Sequence, residues 1–262
     1  AASDVYKRQA PEAGSQRLRN VINKGLTEEV ILNGAGMAFE GGWNKVKLYF
    51  MLGLPTETED DMRAIAELAN KIAVRYYEIP KEERNGKCQI TISTSFFVPK
   101  PFTPFQWARM YEPSEYLGRA KIVNDHVKEQ LNRKSIRYNW HEAYVTVIEG
   151  ILARGDRRLS KVLLYVYHKG CFYDAWSEYF HNDVWMEAFE ACGLDPDFYS
   201  HRERPLDEIL PWDFLDCGVS RSFLEREWQK AKNETISPNC KQACQGCGAA
   251  RFGCGICIEP RD

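Results

Sequence analysis

VKLYFMLGLPTETEDDM, residues 46–62, is the stretch on which the fold turns. Val46–Leu52 is a short, nearly unbroken apolar run carrying one lysine, the pattern of a strand covered on both faces. Gly53-Leu54-Pro55-Thr56 ends it, and a helix follows. Thr56 with Glu59 reads as a capping box, and Glu57, Glu59, Asp60 and Asp61 load the first turn with negative charge, favourable at the positive end of the helix dipole. Met62, Ile65, Leu68, Ala69, Ile72 and Tyr76 then recur at helical spacing. Gln89–Val98 (QITISTSFFV) alternates β-branched residues and reads as a second strand. Strand, helix, strand predicts a right-handed parallel unit whose ligands meet the carboxyl ends of the strands. Special backbone stands at both of those ends: Gly53-Leu54-Pro55 after the first, Pro99-Lys100-Pro101 and Thr103-Pro104 after the second.

Upstream, Pro11-Glu12-Ala13-Gly14-Ser15 precedes a short helix with Leu18, Val21 and Ile22 on one face and Arg17, Arg19 and Lys24 on the other. An acid before a helix start, with basic residues behind it, suits a ribose and a carboxylate; it suits an ordinary capped turn equally. Thr27 with Glu28 and Glu29 starts another helix toward Gly41-Gly42. Downstream, Pro113-Ser114 opens a helix through about Arg133, and His141–Gly150 fits either a strand or a buried helix. Ala153–Lys161 (ARGDRRLSK) is locally basic, with Arg154, Arg157, Arg158 and Lys161 against Asp156. Guanidinium groups grip phosphate or carboxylate bidentately, but a solvated helix start paired to Asp156 explains the same residues. Tyr173, Trp176, Tyr179, Phe180, Trp185 and Phe189 read as core in preference to a base-stacking platform. Ser222 with Glu225 forms a second capping box, leading toward the C-terminus.

The whole chain, 262 residues, suffices for one large domain or two ordinary ones. With 35 Lys and Arg against 37 Asp and Glu, a net charge of −2 gives no global case for nucleic acid or membrane as partner. No apolar run approaches the roughly 18 residues of a membrane span. The nine cysteines carry no secretory signal with them, and five crowd into Cys240–Cys257. An odd, uneven count of this kind predicts thiolate chemistry in a reducing, cytoplasmic setting. Cys240, Cys244 and Cys247 have C-x₃-C-x₂-C spacing, and Cys254 and Cys257 add a pair; glycines between them permit the tight turns that aim neighbouring sulfurs at one soft metal. An auxiliary iron–sulfur cluster or Zn²⁺ is expected there, against a tail of free thiols. The first residues, AASDVYKRQ, fit nothing downstream and resemble a translated junction sequence, which would make this chain part of a longer protein; a natural N-terminal arm is the alternative.

PEAGSQRLRNVINKGLTEEVI, KLYFMLGLPTETEDDM and TSFFVPKPFTPFQW, in that order, together with LARGDRRL, LPWDFLDCGVSRSFLEREW and the terminal cysteines, resemble the radical S-adenosylmethionine (SAM) proteins that carry an N-terminal cobalamin-binding domain. The resemblance implies an α/β fold: the C-terminal part of a partial (β/α) barrel over residues 10–110, a mainly helical α+β region over 111–235 and a Cys-rich metal-binding tail over 236–262, with 1–9 set aside as the junction. It implies that Glu12 meets the SAM ribose and that Gly53, Leu54 and Pro55 lie beside the adenine, with Ser15 and Lys24 as further polar contacts. It also implies cobalamin in the full-length protein, methyl or related group transfer, and a reductant such as flavodoxin or ferredoxin. The substrate class stays open, with RNA or a ribosomal component among the candidates. The C-x₃-C-x₂-C loop that holds the [4Fe-4S] cluster for reductive SAM cleavage has no counterpart before Cys88, so this chain alone is expected not to cleave SAM. A non-catalytic adaptor, holding RNA through Arg154–Lys161 and a metal through its tail, is the competing expectation.

Overall fold

In the computed structural model, which describes residues 7–252, the chain divides into two compact units. One takes the chain up to Phe97 together with Glu115–His141 and Ala231–Ile236; the other takes Val98–Ser114, Glu142–Lys230 and the chain from Ser237 onward.

The first unit is built on strands β1 (Lys7–Glu12), β2 (Lys45–Leu52), β3 (Gln89–Phe96) and β4 (Ile136–Trp140). They form one sheet in the order β1-β2-β3-β4, every pair parallel. Helices α1 (Gln16–Val21) and α2 (Glu28–Glu40) connect the first pair, α3 (Glu59–Glu78) the second, and α4 (Pro113–Glu129) lies before β4. The fold is therefore α/β with a four-stranded parallel sheet. Met62, Ile65, Leu68, Ala69, Ile72 and Tyr76 are all buried on α3, as their helical spacing predicts.

Four local readings change. The β2 strand is not covered on both faces: Val46, Leu48, Phe50 and Leu52 are buried, while Lys45, Lys47, Tyr49 and Met51 are half-buried. Continuous coverage belongs to β3, where residues 90–94 are all buried. The cap of α3 is Thr58, not Thr56; the Thr58 amide donates to Asp61 Oδ2 at 2.8 Å. Strand β1 starts at Lys7, within the stretch set aside as a junction, and Lys7, Arg8 and Gln9 pair with Val46, Lys47 and Leu48. A backbone ladder needs only an extended chain, and the exposed Lys7 and Arg8 side chains offer no apolar pattern to read. Strand β4, missed for the same reason, has the mostly exposed sequence IRYNW and joins the sheet from within the region expected to be mainly helical α+β.

The second unit contains α5 (Ala143–Arg154), α6 (Leu159–His168), α7 (Asn182–Ala191), α8 (Pro196–Ser200) and α9 (Arg221–Lys232). The ambiguous segment at His141–Gly150 is thus mostly helix. Ser220, not Ser222, caps α9, its hydroxyl accepting from Phe223 N at 3.3 Å, while Glu225 pairs with Arg221 one turn back. The aromatic stretch splits. Trp185 and Phe189 are core residues of α7, but Tyr173, Trp176 and Tyr179 lie in the connection before it and are more than half exposed. That connection has no long helix face to bury them, so their rings pack on one another. No helix among the described residues is long and apolar enough to cross a membrane.

Candidate functional site

At the carboxyl end of β1 the ladder slips: Gln9 pairs with Leu48, yet Glu12 pairs with Phe50, so β1 carries an extra residue. Such a bulge re-aims the residues beyond it. Glu12 emerges at φ 67°, the left-handed region that a non-glycine residue enters only when its surroundings hold it there. Its carboxylate meets Lys24 Nζ at 3.4 Å, with both side chains about a third exposed. Two residues on, Gly14 lets the turn press directly onto the backbone of α3, where an added Cβ would sit 2.4 Å from Ile65 N. Ser15 caps α1 by accepting from Leu18 N at 3.0 Å and donates its own proton to Asp61.

Asp61 is the hub of this corner. Its carboxylate, 2% exposed, also receives Arg17, whose guanidinium continues to Thr56 O at 2.8 Å and Glu234 Oε1 at 2.8 Å. Burial works to raise the pKa of Asp61, but hydrogen bonds from Arg17, Ser15 and Thr58 outweigh it and hold the carboxyl below its ordinary range. Arg19, expected on the solvent face of α1, is fully buried, and it donates to Ala13 O, Gly14 O and Leu26 O. These carbonyls lie outside the six-residue helix, and the buried guanidinium supplies donors to the turns on either side of it.

The end of β2 closes on itself. Gly53, at φ 84°, donates its amide to Glu57 Oε2 at 2.8 Å, and Glu57 N returns a bond to Leu54 O at 3.1 Å. The Glu57 side chain is 1% exposed, with Arg119 Nε at 3.1 Å from the same oxygen. Burial pushes its carboxyl up to about 7, with the Gly53 amide and Arg119 pulling against it. On the neighbouring strands, Tyr138 and Thr94 hydroxyls share a 3.0 Å bond, and burial raises the Tyr138 phenol above its usual range.

Glu57 makes stability pH-dependent. A carboxyl raised from 4.5 to about 7 on folding binds a proton that the unfolded chain has released. The associated stability is complete below the unfolded value of 4.5 and is lost as pH climbs through about 7. The full swing is about 3 kcal/mol at 1.36 kcal/mol per unit. Glu57→Gln keeps an acceptor for Gly53 while removing the titration. Urea midpoints at pH 5 and pH 8 should therefore differ less in Glu57→Gln than in the wild type; identical differences would rule out a raised Glu57.

Of the six residues expected to contact SAM, the two with accessible charge, Glu12 and Lys24, converge. Ser15 has its hydroxyl engaged as donor and acceptor within the protein. The Gly53 amide is likewise committed to Glu57, Leu54 is fully buried and Pro55 half-buried. The Glu12 carboxylate, about a third exposed, is an acceptor of the kind that ribose hydroxyls need, and Pro55 is half-buried on the turn after the adjacent strand. Sequence reasoning missed Arg17, Glu57, Asp61 and Arg119 as members of this corner. Glu57 had one signal, its place four residues after Gly53; Arg119 had none.

The arginines of the basic segment part company. Arg154 is fully buried and donates to Ser200 O at 3.1 Å, Arg158 pairs with Asp156, and Arg157 is exposed. Of the tail cysteines, Cys240 and Cys244 are exposed and Cys247 is half-exposed; Cys254 and Cys257 lie outside the described residues. Gly246 and Gly248 take positive φ, the tight turns expected between ligands. A donor set of thiols alone fits a soft metal, although among the described residues no three His, Cys, Asp or Glu side chains are gathered as a metal group. By contrast Cys88 is buried and its thiol is pushed up to about 12, so it is inert.

The chain is 37% identical over 156 residues to an uncharacterized protein of the archaeon Methanocaldococcus jannaschii, a match covering 60% of this chain and 31% of that relative. The chain thus spans under a third of the length of the relative it matches. No family model matches, and no solved structure matches significantly.

Proposed function

We propose that this chain is part of a radical SAM enzyme and that its sheet forms an arc of the (β/α) barrel, with SAM held at the strand ends by Glu12 and the Gly53–Pro55 turn. The observation that carries the reading is the sheet order. Parallel strands laid down strictly in sequence step in one direction, and right-handed crossovers then put every connecting helix on one face. A barrel wall has that arrangement, whereas a doubly wound sheet reverses direction partway. The half-buried face of β2, with Lys47, Tyr49 and Met51, is on this reading the barrel interior.

Glu12 and Gly53 stand at the ends of adjacent strands. Glu12 accepts from sugar hydroxyls, Lys24 orients that carboxylate, and Pro55 bounds the base. Asp61, through Ser15 and Arg17, fixes the β1 and β2 turns relative to each other. SAM held there by Glu12 and the Gly53–Pro55 turn would supply radical chemistry. The tail cysteines Cys240, Cys244, Cys247, Cys254 and Cys257 hold an auxiliary iron–sulfur cluster or Zn²⁺ on the same reading. The RNA-holding adaptor is disfavoured, since Arg154 is spent inside the protein.

Calorimetric titration of SAM into the 262-residue chain tests the site. Binding is expected, and Glu12→Ala should weaken it about tenfold or more, because a hydrogen bond to a charged group contributes about 1.5–3 kcal/mol. No SAM binding, or equal binding by both proteins, would count against the proposal.

A further inference from the structure

We propose that the second unit holds a small inorganic anion, about the size of chloride, inside its core, bound by N–H groups of Arg204 and Trp107. Three buried donors there have nothing to donate to. Arg204 is 3% exposed and Trp107 fully buried, yet Arg204 Nε, Arg204 Nη1 and Trp107 Nε1 each lack a hydrogen-bond partner in the protein. One arm of the guanidinium is used: Arg204 Nη2 donates to Arg154 O at 2.9 Å and to Tyr199 O at 3.4 Å. The two residues are neighbours, because Arg204 N donates to Trp107 O at 2.8 Å.

Burial depresses the pKa of Arg204, but a guanidinium stays ionised in a folded protein. A buried charge is costly unless an opposite charge and hydrogen bonds meet it. No buried acid does so here. Among the described residues of this unit the buried charged side chains are Arg154 and Arg204, and no carboxylate is buried with them. The acids whose charge reaches Arg204 are engaged elsewhere. Glu208 grips Arg202 through both oxygens at 2.6 Å, and Asp156 pairs with Arg158 at 2.7 Å. Arg204 and Trp107 side chains offer donors and no acceptor, a set that suits an anion and repels a cation. Water would satisfy the N–H groups but leave the charge uncompensated; an anion answers both.

An open cleft of about 480 Å³ lies one side chain away. Trp212 lines it, with the Arg204 guanidinium 5.3 Å from the ring centre. Arg221 lines it too, and its guanidinium is 5.9 Å from the Trp107 ring. Trp212 is fixed by donating Nε1 to Gln106 Oε1 at 2.7 Å. The ion exchanges through this cleft. Because the unpaired donors lie behind the rings, a small ion reaches them and a bulky organic anion does not.

The test follows urea unfolding of the full chain while sodium chloride replaces sodium gluconate at constant ionic strength. A ligand that binds only the folded state stabilises it in proportion to the logarithm of its concentration above Kd, so the midpoint should climb steadily with chloride. Arg204→Met should abolish that climb, and Trp107→Phe should move it to higher chloride. Arg157→Ala, which alters an exposed arginine of the same unit, should leave it unchanged. Crystals grown in bromide need no variant: an anomalous peak is expected within hydrogen-bonding reach of Arg204 and Trp107 nitrogens, and this map decides the matter if the variants fail to fold. A midpoint indifferent to chloride, or an equal climb in Arg204→Met, would overturn the proposal. Ordered water in place of bromide would do the same. So would a bromide peak without any chloride effect in solution, which marks binding at crystal concentration only.

Discussion

Gly14→Ala is expected to unfold the sheet unit at a markedly lower urea concentration than the wild type. The new Cβ would lie 2.4 Å from Ile65 N and 2.6 Å from Asp61 O. Both obstacles are backbone of α3, which cannot rotate aside as a side chain can. Overpacking ordinarily costs about 1–3 kcal/mol, and a clash with helix backbone belongs at or above the top of that range. The displacement would also pull Ser15 and Arg17 away from Asp61, so on the proposed function SAM binding should fall with stability. Gly36 provides the control, because it is a helical glycine of α2 with nothing within 4 Å of its added Cβ. Gly36→Ala should raise stability by about 0.5–1 kcal/mol through backbone entropy. If the two variants unfold at the same midpoint, close packing at Gly14 is not limiting.

Arg154→Leu should destabilise the second unit by about 1–3 kcal/mol, the cost of leaving a buried carbonyl without its donor. The guanidinium reaches Ser200 O at 3.1 Å and Gln106 O at 3.5 Å, across 46 and 48 residues of sequence. Leucine fills much of the volume but offers no donor, and a buried carbonyl left without one costs about 1–3 kcal/mol. Arg157→Ala, three residues along the same basic run, should stay within about 0.5 kcal/mol of the wild type, because Arg157 is exposed. Urea unfolding followed by tryptophan fluorescence distinguishes the pair. Equal midpoints for Arg154→Leu and Arg157→Ala would mean that Arg154 contributes no more than a surface charge.

These two arginines show that neighbours in one basic run can have opposite environments. In sequence they are alike: same residue, same run, same neighbours. One occupies the last turn of α5 on its buried side and the other the connection to α6. Helical phase alone allowed Arg154 to be inside, but nothing local announced that carbonyls of Gln106 and Ser200 would be there to receive it. The aromatic run failed in the same manner. Trp185 and Phe189 lie four apart on α7 and are buried together, while Tyr173 and Trp176 precede the helix and stay exposed.

The sequence by itself determined the strand–helix–strand unit from Val46 to Phe96, the buried face of α3, the parallel sense of the sheet and the special turn at Gly53. All of these arise from periodicity and turn chemistry within a few residues, where the chain's own geometry sets the outcome. Only the tertiary structure decided which polar groups are already spent. Asp61 takes Arg17 from 44 residues away and Glu57 takes Arg119 from 62. Ser15, Gly53, Arg19 and Arg154 likewise commit their hydrogen bonds inside the protein, leaving Glu12 and Lys24 accessible at the strand ends. A buried polar group must find its partner wherever folding brings one, and local sequence carries no record of that distance.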